Sequence, residues 1–325
     1  MRVSTELLTS PESAYEISRA CSELDNPDIP FDSLESFRAM LESPWPGQLH
    51  ERYLGFLDGV PVGYLSLGLP QHDNVTNMDV HLEVLPSARR HGVGRALHEL
   101  AVERARALGR KALLGRTVQR HPDGAAFATA VGALPGLEDL RSRLDVRAVD
   151  QALLDAMLAE AWTHAAGHRV VRWQGVAPAD IIDDVAYLEG RLLADAPIGD
   201  LPLEPEKVDA DLLREYEAWR ARRGRLTYHT AALHNDRAVA WTVLAGSAAE
   251  PAQVWQNTTL VDPEHRGRRL GTVVKLENLR YIRELRPGLE VIDTFNAASN
   301  DHMLRINRAM GFAAVETVIN WALTI

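Results

Sequence analysis

The chain has 325 residues, more than one hydrophobic core usually serves, and its 46% hydrophobic and 25% charged residues are typical of a globular protein. The formal net charge of −10 argues against nucleic-acid binding, because phosphate contacts need clustered lysine and arginine. One cysteine, a polar N-terminal segment and the absence of a long apolar run exclude an intramolecular disulfide and predict a cytoplasmic protein of two domains.

The first half of the sequence predicts a hairpin, a third strand, a helix and a fourth strand. Residues 53–65 form two β-prone runs around Asp58-Gly59, a dipeptide typical of tight hairpin turns. A further β-prone run, 79–85, is followed by a short loop and by apolar residues that recur with a helical period up to Gly109. Residues 112–118 are the next predicted strand.

The second half repeats this order. Residues 228–243 predict a hairpin that turns at Asn235-Asp236, and a strand, a loop, a helix and the strand 289–295 follow. Alternating strands and helices in a repeat predict two mixed α/β domains. Four pairs of residues align the halves without a gap, each pair 177 positions apart: Val84 and Val261, Pro86 and Pro263, Arg89 and Arg266, Gly94 and Gly271.

The boundary between the halves is predicted near residue 145. The segment from about 140 to 166 is charged and amphipathic, and we interpret it as a helix that begins the second half. The predicted domains are therefore 1–145 and 146–325, each a mixed twisted sheet flanked by helices.

Each half has a glycine- and arginine-rich loop between a strand and a helix. A helix N-terminus presents unpaired N–H groups and the positive end of the helix dipole, glycines allow a ligand to approach the backbone, and arginines add charge. The pattern predicts a phosphate-type anion site in each half; two loops in register disfavour a solvated turn. Neither loop is a Walker A motif or a complete dinucleotide fingerprint. The loops comprise Arg89, Arg90, His91, Gly92, Val93, Gly94 and Arg95, and Arg266, Gly267, Arg268, Arg269, Leu270, Gly271 and Thr272.

The pattern Arg-x-x-Gly-x-Gly after a strand resembles the pyrophosphate loop of GNAT acyltransferases. Residues 89–94 match it in full, whereas the second loop has Arg269 where the first glycine is usual. Residues 300–312, which end in Gly311-Phe312, resemble the last helix of that family. As two copies the resemblance covers nearly the whole chain, in the layout of tandem GNAT proteins of actinobacteria.

This resemblance implies that each half binds acyl-CoA, with acetyl-CoA as the expected donor. The pantetheine arm would lie between two parallel strands that splay apart, 79–85 with 112–118 and 255–261 with 289–295. The amine of a small molecule would attack the thioester directly, and the protein would be a monomer or homodimer without nucleic-acid or membrane partners. Besides the loops, the expected cofactor-binding residues are Val84, Leu260, Val261, Asn296 and Asn300.

The general acid departs from the family pattern in both halves. GNAT enzymes often place a tyrosine four residues before the Gly-Phe pair, where this chain has Asn307 in the second half and Ala128 in the first. Asn307 is the candidate to donate a hydrogen bond to the leaving sulfur, but neither residue can replace a tyrosine as an acid.

The candidate general bases lie on strands beside the predicted cleft. Glu83, which alternates with Asp79 and His81 on one strand face, is the candidate of the first half, and a half-exposed polar face explains the same pattern equally well. In the second half the candidate is Asp293; Thr294 on the same strand, Thr258 on the preceding strand and Tyr228 on the hairpin are also possible, and none of the four is compelling. The 12 histidines lack paired metal-binding spacing, so no metal is predicted.

The function predicted from these features is acetyl-CoA-dependent N-acetylation of a small amine, with the C-terminal half chemically competent. The opposite assignment stays open, because the N-terminal loop is the more regular one. Two other classes also stay open: an acyl-CoA-binding or sensing protein without turnover, and an interaction scaffold in which one half only buries surface for the other.

Overall fold

Two compact units make up the protein, and each is assembled from separate stretches of chain. The computed structural model describes residues 1–325. Unit 1 contains Met1–Glu138, Ile198–Leu203 and Thr317–Ile325, and unit 2 contains Asp139–Pro197 and Glu204–Glu316. None of the helices has both the length and the apolar composition that a membrane-spanning helix needs.

Unit 1 is a mixed sheet with helices against it. Its strand order is β1-β2-β3-β4-β5-β12, and every neighbouring pair is antiparallel except the parallel pair β4 and β5. The elements are β1 (Val3–Leu7), α1 (Pro11–Asp25), α2 (Leu34–Glu42), β2 (Gln48–Leu57), β3 (Val60–Pro70), β4 (Asn77–Val84), α3 (Val93–Ala107), β5 (Ala112–Val118), α4 (Pro122–Ala130), the start of β6 (Leu134–Asp145) and most of β12 (Ala313–Thr324).

Unit 2 repeats this arrangement with strand order β6-β11-β10-β9-β8-β7, in which only β10 and β11 are parallel. The mixed α/β class predicted from the sequence is confirmed. Its elements are the end of β6, α5 (Gln151–His164), β7 (Arg169–Gln174), α6 (Ile182–Gly190), α7 (Leu192–Asp195), α8 (Ala210–Arg222), β8 (Arg225–His234), β9 (Arg237–Ser247), β10 (Gln253–Val261), α9 (Leu270–Leu285), β11 (Val291–Ala297), α10 (Asp301–Met310) and the start of β12.

Both predicted hairpin turns are confirmed. Asp58 and Gly59 connect β2 to β3 with positive φ angles of 50° and 83°, and Asn235 and Asp236 connect β8 to β9 with φ angles of 50° and 62°. Asn, Asp and Gly are the residues that adopt this left-handed conformation most readily, which is why the dipeptides mark the turns in the sequence.

The helix predicted from about residue 140 to 166 is wrong in its first part, because the chain is extended as β6 up to Asp145 and α5 begins at Gln151. Residues Asp139–Asp145 pair antiparallel with Ala297–Val291 of β11. Leu144, 1% exposed, enters the core cluster of unit 2, so tertiary pairing overrides the local amphipathic pattern.

Each predicted domain, 1–145 and 146–325, ends in a strand segment that belongs to the compact unit of the other half. Residues 139–145 belong to unit 2, where they extend the sheet beside β11. Residues 317–325 belong to unit 1, where Val318–Thr324 pair with β5. The boundary drawn from the repeat therefore differs from the compact units at both ends of the second half.

Helix α3 is held close to the sheet by two glycines. A β-carbon added at Gly55 would lie 2.7 Å from the side chain of Val93, and one added at Gly63 would lie 2.8 Å from it; both distances are steric clashes. The glycines therefore allow the first turn of α3, and the loop that precedes it, to approach β2 and β3.

Candidate active site

In each unit the two parallel strands pair at one end and separate at the other. In unit 1, β4 and β5 pair only from Asn77–Asp79 to Ala112–Leu114. In unit 2, β10 and β11 pair only from Gln253–Gln256 to Val291–Thr294. Beyond these residues neither pair is joined by backbone hydrogen bonds, so the C-terminal ends of the strands border an open gap in the sheet.

The loop of unit 1 leaves its backbone amides free at the mouth of this gap. The chain passes from β4 through a 3-10 turn, Pro86–Ala88, and enters α3 with Gly92 in the left-handed conformation at φ 90°. The first bond of the helix runs from the amide of Ala96 to the carbonyl of Gly92, 3.0 Å. The amides of residues 90–95 donate no hydrogen bond within the protein. Six such amides at a helix N-terminus form a binding site for an anion.

The loop of unit 2 has the same geometry. A 3-10 turn, Pro263–His265, precedes it, and the first helical bond runs from Val273 to Arg269 over 3.1 Å. The amides of residues 267–272 donate no hydrogen bond within the protein. Both predicted loops thus present unpaired backbone amides in a geometry that suits an anion.

The first arginine of each loop fastens the loop to the preceding strand. Arg89 donates from Nε to the carbonyl of Val84 at 3.2 Å, and Arg266 donates from Nε to the carbonyl of Val261 at 3.3 Å. Asp195 also binds Arg266, with 2.8 Å between Nη2 and Oδ2. The guanidinium groups of these arginines are therefore held in position, and the carbonyl groups of Val84 and Val261 accept the hydrogen bonds that hold them.

Charge is distributed differently between the two loops. Arg269 of the second loop forms an ion pair with Glu160 at 2.8 Å, whereas Arg90 and Arg95 of the first loop form no ion pair. The first loop therefore retains more uncompensated positive charge, which favours an anionic ligand there.

Glu83 lies on the face of β4 that packs against α1. Its Oε2 atom accepts a hydrogen bond of 2.5 Å from the Ser18 hydroxyl and lies 3.1 Å from Nε2 of His81. Burial disfavours the ionised carboxyl, but His81, the hydrogen bond from Ser18 and the charge of Arg89 together outweigh burial and hold the pKa of Glu83 below its usual value. Desolvation likewise opposes the charged imidazole, and Glu83 outweighs it, so the pKa of His81 is raised.

His81 is the residue of this site that the sequence analysis did not single out. Its side chain is 58% exposed, whereas that of Glu83 is only 16% exposed, so His81 is the member of the pair that a ligand reaches first. A carboxylate that orients an imidazole and raises its basicity is a common acid–base arrangement. The only signal in the sequence was their i, i+2 spacing on one strand.

Cys21 lies beside this pair but is no nucleophile. Its thiol is buried, 3.4 Å from the carbonyl of Val84. Burial raises its pKa to about 12, so the reactive thiolate is not formed near neutral pH.

Asp293, the candidate base of the second half, is fully buried in an ion-pair network. Arg143 donates to both of its oxygens, at 2.9 and 2.8 Å, and Nη1 of Arg141 lies 3.4 Å away. Gln253 donates to it as well. A carboxylate with both oxygens occupied and no exposure to solvent cannot receive a proton from a substrate, so its role is to join β6, β10 and β11.

Comparison with known proteins agrees with this geometry. A family model described as Acetyltransferase (GNAT) family matches residues 12–130. A mycothiol acetyltransferase of Salinispora arenicola (strain CNS-205) is 27% identical over 322 residues, which are 98% of this chain and 95% of the relative. The solved structure of a tandem GNAT protein from the clavulanic acid biosynthesis pathway superposes with a TM-score of 0.82 at 27% identity, covering 99% of this chain and 98% of the other.

Residues 12–130 match the GNAT acetyltransferase family, and over its full length the chain is similar to tandem GNAT proteins. A GCN5-related N-acetyltransferase from Sphaerobacter thermophilus, 15% identical with a TM-score of 0.66, covers 99% of this chain and 95% of its own and shares the fold. The family model falls in unit 1, whose loop matches the GNAT pattern in full, and the full-length relatives extend the likeness over both units.

The position of the usual GNAT tyrosine holds a buried amide in unit 2. Asn307 on α10 is 1% exposed and donates from Nδ2 to Oδ1 of Asn296 on β11 at 2.7 Å, while its own Oδ1 has no partner. Asn300 caps the same helix by accepting the amide of Met303 at 3.2 Å. Asn307 ties α10 to β11, Asn300 caps the first turn of α10, and Asn307 Oδ1 is a buried amide oxygen without a hydrogen-bond partner.

Proposed function

We propose that this GNAT protein transfers an acetyl group from acetyl-CoA to the amine of a small molecule. The observation that carries the proposal is the pair of loops: each presents six unpaired amides at a helix N-terminus, beside two parallel strands that separate. The unpaired amides suit a pyrophosphate group. The free edges of the separated strands suit the amide groups of an extended pantetheine chain.

The loop residues fit such a ligand. Gly92 has its left-handed φ at a point where an added β-carbon would meet only Val3, at 3.9 Å, so the backbone there is open to an approaching phosphate. The 27% identity to a mycothiol acetyltransferase supports acetyl as the group transferred. The net charge of −10 favours a cationic acceptor through electrostatic steering.

In unit 1 the transfer would use the pair formed by His81 and Glu83. The neutral amine attacks the thioester carbon, its proton passes to the imidazole of His81, and Glu83 holds the resulting charge. The carbon–sulfur bond then breaks and the thiolate takes up a proton. The tetrahedral oxyanion needs a hydrogen-bond donor, for which free amides on the separated strands are the available groups.

Isothermal titration of acetyl-CoA into the full chain tests the cofactor part of this proposal. Gly94→Glu and Gly271→Glu each place a carboxylate against a loop, and we expect each to abolish binding at its own unit. Gly94→Ala and Gly271→Ala are the matched controls, because added β-carbons meet only ordinary contacts, at 3.6 and 3.7 Å. Wild-type affinity and stoichiometry in both glutamate variants would mean that the loops do not hold the pyrophosphate.

A second candidate function is acyl-CoA binding or sensing without turnover. It is favoured by the residues at the tyrosine position, Asn307 and Ala128, neither of which can protonate a thiolate. Release of CoA thiol with a panel of primary amines separates the two functions: binding with no turnover on any amine supports the sensor, and amine-dependent release supports the transferase.

A further inference from the structure

Unit 2 lacks the carboxylate that Glu83 supplies to unit 1, because the equivalent position on β10 is Leu260. Asp293 does not replace it, since both of its oxygens are occupied by arginines. Unit 2 nevertheless has another carboxylate on the same face of its sheet. Glu189, in the last turn of α6, packs against β10 close enough to Thr258 for that side chain to lower the pKa of the carboxyl.

The two units carry the same pair of groups with the elements exchanged. In unit 1 the carboxylate stands on strand β4 and the hydroxyl, Ser18, on helix α1. In unit 2 the carboxylate stands on helix α6 and the hydroxyl, Thr258, on strand β10. Thr258 is equivalent in position to His81, 177 residues earlier, so Glu189 meets the strand at the point where unit 1 has its His81–Glu83 pair.

Strand β10 is irregular near Thr258. The pairing of β10 with β9 shifts by one residue between Gln256 and Thr259, which is a β-bulge that contains Thr258. The pairing of β10 with β11 ends at Gln256, so the bulge lies where the gap in the sheet opens. Bulges re-aim side chains and are frequent beside active sites.

Glu189 is held from one side and unpartnered on the other. Nη2 of Arg220 lies 4.0 Å from Oε1, whereas Oε2 is buried and has no hydrogen-bond partner. The side chain keeps 15% exposure, although Oε2 itself is not among its exposed atoms. A buried carboxylate oxygen without a hydrogen-bond donor destabilises the fold, and the N–H of a bound amine can supply that donor. Burial also raises the pKa of Glu189, against the opposing effects of Arg220 and Thr258, which suits a proton acceptor.

We propose that Glu189 binds the acceptor amine in unit 2 and takes its proton during acyl transfer, giving this unit an active centre of its own. The inference rests on the proposed function. The amine nitrogen bonds to the thioester carbon, its proton moves to Oε2 of Glu189, the carbon–sulfur bond breaks, and the thiolate takes up the proton. The ligand class is therefore a primary amine, with the N–H directed at Oε2.

Full-length variants in a Glu83→Gln background test the proposal, because that substitution removes the carboxylate that supports His81, the base of unit 1. The probes are acetyl-CoA and a panel of polyamines, amino sugars and amino acids, with CoA thiol release as the readout. Adding Glu189→Gln should lower kcat by about 100-fold or more and remove the acidic limb of the pH profile, with the Kd for acetyl-CoA within about twofold. Glu189→Asp should keep the acidic limb at reduced kcat, and Glu215→Gln, exposed on α8, is the control.

Three results would overturn the proposal. Unchanged kcat on adding Glu189→Gln would show that the carboxylate does not act, and loss of all turnover in Glu83→Gln alone would show that unit 2 is inactive. Acetyl-CoA binding without turnover of any amine by the wild type would exclude both this role and the transferase function. Absence of acetyl-CoA binding would instead be a failure of the proposed function itself, so the two failures are distinguishable. A lower Tm with unchanged kcat and pH profile would identify Glu189 as a structural partner of Arg220.

Discussion

Lys275 is a buried cation without an ion-pair partner. It lies on α9, is 2% exposed, and its ammonium group is 5.5 Å from the centre of the Phe312 ring. Burial lowers its pKa to about 7, which is far below the model-peptide value of 10.5. The same position of unit 1 is His98, whose ring packs edge-on against Phe127 at 6.0 Å and whose pKa is also lowered by burial. One turn beyond the last loop glycine, both units therefore carry a basic group, which is buried in unit 2 and half-buried in unit 1.

Replacing Lys275 by methionine should stabilise the protein, and the gain should depend on pH. Because the folded pKa of about 7 lies below the unfolded value of 10.5, the unfolded chain binds the extra proton between these values, and wild-type stability rises with pH across that window. The advantage of Lys275→Met should therefore be largest at and below pH 7, on the order of 3–5 kcal/mol, and shrink towards pH 10. Urea unfolding at pH 7 and pH 9.5 measures it; an equal effect at both would show that the lysine is not desolvated.

Burial of this kind could not be read from the sequence. Lysine is almost always exposed, and the α9 region shows a weaker apolar period than α3, so the pattern gave no reason to place Lys275 inside. Glu83 was predicted because alternate side chains of a strand share one face. Glu189 was not predicted, because it lies 69 positions from Thr258 in the sequence and no local pattern connects the two residues.

At the scale of elements, the loop of unit 2 keeps its geometry despite the missing glycine. Arg269 adopts φ 55° and ψ 18°, the left-handed conformation that Gly92 adopts at φ 90° and ψ −9° in unit 1. The sequence predicted the loop but not this outcome, because a non-glycine residue rarely adopts a positive φ. The surrounding strand, 3-10 turn and helix are the same in both units and impose the conformation.

Relieving this strain should stabilise unit 2. Arg269→Gly alone also removes the ion pair with Glu160, so the clean comparison is made in a Glu160→Gln background, where that pair is already lost. There Arg269→Gly should raise the free energy of unfolding by up to about 1 kcal/mol, because glycine carries no β-carbon penalty in the left-handed region. Denaturant titration of the wild type and the three variants of the cycle measures the difference. A double variant less stable than Glu160→Gln alone would show that Arg269 is not strained.

At the scale of the whole molecule, the internal repeat did not predict which unit the strand segments 139–145 and 317–325 join. Aligning the halves located strands, turns and loops because each is encoded by short-range patterns. Which sheet a terminal strand joins is decided by contacts distant in sequence, such as Val318–Thr324 against β5, and no local pattern records that choice. The predicted cut at residue 145 therefore falls at the end of β6, whose last residues, 139–145, belong to the second unit.

Fragments cut at that position should not fold as the units do. Fragment 1–145 lacks the strand beside β5, including Trp321, which is 7% exposed and donates to the Thr117 hydroxyl at 2.9 Å. Its β5 would keep an unpaired edge and lose a buried aromatic contact, a loss of roughly 3–5 kcal/mol or more. That is comparable to the whole stability of a small domain. Joining residues 317–325 to residues 1–138 through a flexible glycine–serine linker restores the strand, so this chain should show a cooperative thermal transition by circular dichroism where fragment 1–145 shows none. A cooperative transition of fragment 1–145 at the same Tm as the joined chain would mean that the last strand adds nothing to unit 1.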